Sequence, residues 1–198
     1  MNKKDERKPK KAKQEVNHLR WVLRIFLLSV SLSAVLSLCS GAALDGAGLV
    51  TAVVILLFFV FLGIVFDIIG VAVTSAQEAP FHSMASHREK GASEAIKLLR
   101  NAEKVSSICN DVVGDICGIM SGATAAVIVA NIASDLGYGG MVFQILLSGL
   151  VAGLTIGGKA VGKTIAMNNN TEIVLFCGKI AAGVKRLFFG NKQKRKKN

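Results

Sequence analysis

Four acidic residues stand in or beside long apolar runs: Asp67, Glu78, Asp111 and Asp115. A carboxylate at the centre of a bilayer costs at least ~2.5–3.5 kcal/mol on insertion scales, so such a residue is a functional candidate by default. Asp111 and Asp115 are four apart and share a helix face, with Asn110 just before them and Gly114 and Gly118 beyond. Like charges one turn apart repel. Either a cation, a proton or water stands between them, or both are solvated at headgroup level. Oxygen ligands from Asp, Glu, Ser, Asn and backbone carbonyls suit hard cations such as magnesium. The histidines are only His18, His82 and His87, and the four cysteines form no CxxC pair, so zinc or copper is not expected. Cys39, Cys109, Cys117 and Cys177 lie in apolar contexts and are expected to be small buried hydrophobes. With no nucleophile–base pair and no phosphate or cofactor loop, an enzyme is not expected.

The elements that must carry these residues are membrane helices. The chain has 198 residues, of which 52% are hydrophobic, too apolar for an ordinary soluble domain. Four segments reach the roughly 20 apolar residues that a crossing takes. They run from about 21 to 43, 48 to 76, 105 to 130 and 140 to 158. The first is longer than the apolar core of a signal peptide, so a retained helix is expected. Its Ser29, Ser33 and Ser37 recur every four residues, as in helix packing within membranes. The second is uncharged from Gly46 to Gln77 except for Asp67, which is more chain than one crossing needs. It must tilt, continue into a water-accessible cavity, or break near Gly70.

Charge sets the expected orientation. Residues 1–24 hold nine Lys/Arg and three Asp/Glu, and the last fourteen residues hold seven Lys/Arg and no acid. The segment between spans two and three carries Arg88, Lys90, Lys97, Arg100 and Lys104, whereas "LDGAG" and "NIASDLGYGG" carry no Lys or Arg. The positive-inside rule therefore puts both termini and residues 80–104 in the cytoplasm. The expectation is an all-α, multi-pass protein of the cell membrane, a bacterial inner membrane, with a basic tail over 1–20 and a transmembrane domain over 21–165. Two cytoplasmic juxtamembrane helices occupy about 80–104, with Gly91 ending the first and Ser93 capping the second.

Residues 166–198 are expected to form an amphipathic helix and a polybasic tail. Ile173, Phe176, Cys177, Ile180, Val184 and Leu187 recur at helical spacing, with Lys179, Lys185 and Arg186 outside the stripe. Such a helix lies on an anionic inner leaflet or packs within the domain. Membrane lipids, not nucleic acid, are the partners this charge pattern fits. Gly149, Gly153 and Gly157 make two overlapping GxxxG steps, a face for a homodimer or for the bundle itself.

"SAQEAPFHSMA" sets out Ser75, Glu78, Ala79 and Ser83; "AIKLLRNAEK" sets out Ala95, Leu98, Leu99 and Asn101; "GKAVGK" sets out Gly158 and Lys163. In this order, over about 48–180, the chain resembles the transmembrane domain of the cyclin-M/CorC (CNNM) magnesium transporter family. The resemblance implies that Ser75 and Glu78, at the hydroxyl-and-carboxylate end of the second span, help form a cation site in an inward-facing cavity. Asn110 corresponds to a family asparagine after a shift of a few residues. The departures are Lys159 in place of a glutamate and Gly162 in place of a proline. A further helix also precedes the family's first, and no paired nucleotide-binding (CBS) module follows. The metal-site candidates are thus Ser75, Glu78, Asn110, Asp111 and Asp115, with Mg2+ as the transported or bound ion. The alternative is a scaffold or regulator that keeps the fold without a working ion site; a holin-like pore is a third class.

Overall fold

The computed structural model describes residues 7–44, 48–136 and 140–194. Side chains are described over 19–44, 48–132 and 141–187. The extreme ends of both basic tails and part of each short loop (45–47 and 137–139) lie outside the described residues. Every regular element among the described residues is a helix. Four helical stretches are long and apolar enough to cross a membrane.

The chain divides into two compact units, Met1–Gly46 and Ala47–Asn198. The first consists of one helix, α1 (Arg7–Leu44), 38 residues long, apolar over Leu19–Leu44. Cys39 is exposed on it, which corrects the expectation that all four cysteines are buried. The physical reason is that a small apolar side chain costs nothing on a lipid-facing surface.

In the second unit α2 (Leu49–Ser75) is the central helix. It contacts every later helix except the short α3 (Glu78–Ser86). α4 (Ala92–Leu99) follows, then one continuous rod made of α5 (Ala102–Ser107), a π-helical segment Ile108–Gly114 and α6 (Asp115–Leu136). Over Ala102–Ile132 the rod is long and apolar enough to cross a membrane. α7 (Gly140–Asn168) is the fourth spanning stretch, and α8 (Asn170–Lys194) follows after the single residue Asn169. α7 thus runs well past residue 158, because nothing in "GKAVGKTIAM" breaks a helix.

Large apolar side chains cover the outside of α2 and α7: Phe58, Phe61, Leu146, Leu150 and Ile156 are all exposed. An apolar surface this extensive is untenable in water and ordinary in hydrocarbon. α2 has 27 residues and so a length of about 40 Å at 1.5 Å per residue. It does not break at Gly70, which is buried mid-helix. The break falls at Ala76 and Gln77, both extended. Pro80 explains this, since it sits in the first turn of α3, where a missing N–H costs nothing, and so fixes where that helix starts.

The core of this end of the molecule is Ala72, Val73, Phe81, Ala95, Leu99, Ala166 and Val174, drawn from α2, α3, α4, α7 and α8. Phe81 is fully buried and anchors α3 there. Small residues let the helices close. A Cβ on Gly158 would collide with Ile64, and one on Gly162 would come within 2.8 Å of Ile68, so α7 rests on α2 through these two glycines. Gly149, Gly153 and Gly157 have no neighbouring atom within 4 Å of an added Cβ. The bundle therefore uses a GxxxG step one residue over from the expected face, and the expected face stays open.

α4 and α8 meet through Gly91 and Gly178. Gly91 has φ +88°, and a Cβ there would come within 2.6 Å of the Lys179 backbone nitrogen. A Cβ on Gly178 would strike the Gly91 carbonyl. Gly91 thus precedes α4 as its N-cap, and Ser93 sits exposed inside the first turn with no capping hydrogen bond on α4. The seam is fastened by Lys185 on Glu94 (3.4 Å) and Lys179 on Glu89 (3.8 Å). Glu94 also accepts from Lys97 at 3.2 Å, and the two lysines hold its carboxyl below the usual carboxylate range.

Candidate functional site

Two polar groups inside the spanning region face each other across α2 and α7. Asp67 and Lys159 form an ion pair at 3.8 Å, with side chains 18% and 30% exposed. By sequence Lys159 is only a departure from a family glutamate, with no link to Asp67. The signal was present in the charges: Asp67 is the one charge of α2, α7 carries Lys159 and Lys163, and opposite charges on apolar helices are matched most cheaply by pairing.

The third span supplies the next polar group. Asn110 lies in the π-helical segment Ile108–Gly114, where the wider turn displaces side chains from α-helical register. Its Nδ2 donates to Ser106 Oγ at 3.3 Å. Its Oδ1 is buried without a hydrogen-bond partner, the one such atom among the described residues. A buried carboxamide oxygen with no donor is uncommon and costly. The carboxamide lies directly against Gly70, where any Cβ would collide with it. Gly70 is therefore glycine to admit Asn110, not to bend α2. Gly114 is different: a Cβ there would sit 3.6 Å from Lys159 Nζ, an ordinary van der Waals contact.

On α2, Asp67, Gly70 and Thr74 share a face at i, i+3 and i+7. Thr74 Oγ1 donates to the Gly70 and Val71 carbonyls at 3.2 and 3.0 Å. Ser75 Oγ donates to the Val71 carbonyl at 2.8 Å and sits exposed at the last turn. Its own carbonyl accepts from Asn170 Nδ2 at 3.3 Å, which ties the end of α2 to the start of α8. Glu78 opens α3, where a carboxylate is favoured by the helix dipole. Its Oε2 meets His82 Nε2 at 3.1 Å and Arg100 Nε at 3.7 Å.

Asp111 and Asp115 are both exposed. Asp111 accepts from Ser107 Oγ at 2.8 Å. Asp115 begins α6, just after the π-helical segment. The five expected ligands therefore fall into separate settings: Ser75 turned back onto its own helix, Glu78 among basic groups, Asn110 half-buried with its Oδ1 against Gly70, and the two aspartates on an exposed surface. Among the described residues no three His, Cys, Asp or Glu side chains converge closely enough to share a metal ion. A cation held here would depend on hydroxyl, carboxamide and backbone oxygens beside single carboxylates.

Comparison with protein-family models, with curated proteins and with solved structures gave no match for this chain.

Proposed function

We propose that this chain is a multi-pass membrane protein with a cation-linked role, in which a hard divalent ion, magnesium first, moves along or is sensed by the polar face of α2. The supporting observation is the set of oxygen groups along an otherwise apolar helix: Asp67, Thr74 and Ser75 on α2, the unpartnered Asn110 Oδ1 of the third span against Gly70, and Glu78 at the start of α3. The distribution of Lys and Arg supports an orientation with both termini and residues 80–104 in the cytoplasm. In that orientation α3 and α4 are juxtamembrane helices, and Ser75 and Glu78 stand at the cytoplasmic mouth. The resemblance of these motifs to the cyclin-M/CorC transmembrane domain supports the same reading.

The chemistry follows from the pairs. A carboxylate and hydroxyl at the mouth replace part of the water around an entering ion, and Asn110 Oδ1 offers the next oxygen. Glu78 must leave His82 and Arg100 to engage the ion, and the Lys159 ammonium closes the inner end by holding Asp67. The decisive measurement is Mg2+ entry into proteoliposomes containing a trapped magnesium-sensitive dye. Wild-type protein is expected to carry a flux that Glu78→Gln and Asn110→Ala each lower about tenfold or more, as loss of an ion-contacting group does. Absence of both flux and calorimetric magnesium binding in folded wild type would sink this reading.

A second reading is a scaffold that keeps the fold without a working ion site. It is favoured by the open Gly149, Gly153 and Gly157 face and by the basic partners that occupy both Asp67 and Glu78. It places a second copy of the chain on that face. Gly153→Leu then disrupts the oligomer in detergent, while Glu78→Gln is silent.

A further inference from the structure

The exposed face of α8 has two chemistries side by side. Phe176, Ile180, Val184 and Leu187 form an apolar stripe that is about half exposed or more throughout. The helix packs on the protein by a different face, through Val174 and Gly178. On one flank of the stripe a groove of about 580 Å3 runs between α2 and α8, lined mostly by apolar residues such as Val65, Ile68, Ile69, Phe176 and Ile180, with Glu172 as its one acid. Lys179 lines this groove and also the adjoining cleft of about 410 Å3, which Lys90, Gly91, Ala182, Gly183 and Arg186 complete. The apolar groove and the basic cleft therefore share a wall.

The charges at the cleft do not balance. Lys179 is held by Glu89 at 3.8 Å, and Lys185, one position before Arg186, is taken by Glu94. Lys90 and Arg186 have no carboxylate within ion-pair distance among the described residues. Two unmatched cations in a cleft that shares Lys179 with an apolar groove suit an anion whose other end is hydrocarbon. Lysine and arginine ends beside an apolar helical stripe are the pattern of a helix lying at a membrane surface.

We propose that the junction of α2, α4 and α8 is a binding site for one phospholipid with an anionic phosphate-bearing headgroup. Lys90, Lys179 and Arg186 receive the phosphate, and an acyl chain lies in the groove between α2 and α8. Gly91 and Gly178 are part of the device, because their close approach carries Lys90 to the same cleft as Lys179 and Arg186.

The test is native mass spectrometry of the full chain in an uncharged detergent, titrated with phosphatidylglycerol or phosphatidylcholine of identical acyl chains. Wild type is expected to hold phosphatidylglycerol about fivefold or more over phosphatidylcholine, since each basic group near an anionic headgroup contributes about that factor. Lys90→Gln with Arg186→Gln abolishes most of that preference at unchanged helicity. Lys90→Gln alone, in an exposed linker and without risk to the core, lowers it by about a factor of two or more. A variant with Gln at Lys192, Lys194, Arg195, Lys196 and Lys197 keeps the preference. Equal retention of the two lipids, or a preference lost in the tail variant and kept in the cleft variant, overturns the proposal. Soluble glycerol phosphate binding as tightly as the lipid also overturns it, because the site would then recognise phosphate without the chain.

Discussion

Asn110 and Gly70 show how one residue can require another across a helix interface. Gly70 reads as a weak point in a long span, yet its helix is continuous there, and the missing Cβ is filled by a carboxamide. Gly70→Ala forces the two apart and is expected to lower unfolding stability by about 1–3 kcal/mol, the usual cost of overpacking. Asn110→Ala in the same chain should recover most of that loss. A double-mutant cycle on thermal melts in detergent checks this, and additive losses would refute the contact. Lys159 gives the parallel case for charge. Lys159→Met leaves Asp67 unpaired among apolar helices and is expected to cost about 3 kcal/mol, whereas Asp67→Asn with Lys159→Met is nearly neutral. The same melting assay separates the two, and a Lys159→Met melt equal to wild type would remove the pair from the account.

At the scale of the element, α8 resolves what its sequence left open. Its apolar stripe was legible from spacing, but Phe176, Ile180, Val184 and Leu187 of that stripe face outward, while Ile173 packs against the core beside Val174 and Gly178. A helix with a narrow small-residue face and a broad apolar face packs by the first, because close backbone approach yields more contact per residue than bulky side chains at a distance. The α4–α8 seam also gives a pH prediction. Glu94 is held below its ordinary value of 4.5 by Lys97 and Lys185. A lowered carboxylate contributes stability that is present above the unfolded value and lost as pH falls through the folded one. The melting temperature should therefore drop between about pH 5 and pH 3 through this group, and Glu94→Gln should flatten that part of the profile. The effect is small, about 0.5 kcal/mol for each such pair, so the variant must be compared with wild type at each pH.

At the scale of the whole molecule, an even number of spans puts both ends of the chain on one side. A single cysteine introduced at Lys13 and one introduced at Lys194, each in a background with Cys39, Cys109, Cys117 and Cys177 replaced by serine, should label from the same face of sealed vesicles. One at Ser86 should label from that face too, since α2 separates it from the first loop by one crossing. Labelling of Ser86 and Lys194 from opposite faces would contradict the four-span arrangement. The apolar outer surface of α2 and α7 suits hydrocarbon on that side.

The sequence by itself determined the helical class and the number of spans, because a bilayer demands about 20 apolar residues and internally satisfied backbone, and no other local signal competes. It also ended the second span at about residue 76, one residue from the end of α2, while leaving a break near Gly70 open. Tertiary structure alone decided that Lys159 meets Asp67, that Asn110 fills the space at Gly70, that α7 rests on Gly158 and Gly162 rather than on the neighbouring glycines, and that the third span contains a π-helical turn. Each of these depends on the rotation of one helix about its axis relative to the next. Hydropathy fixes where a helix lies along the chain but leaves that rotation free, and only the packing of side chains between helices sets it.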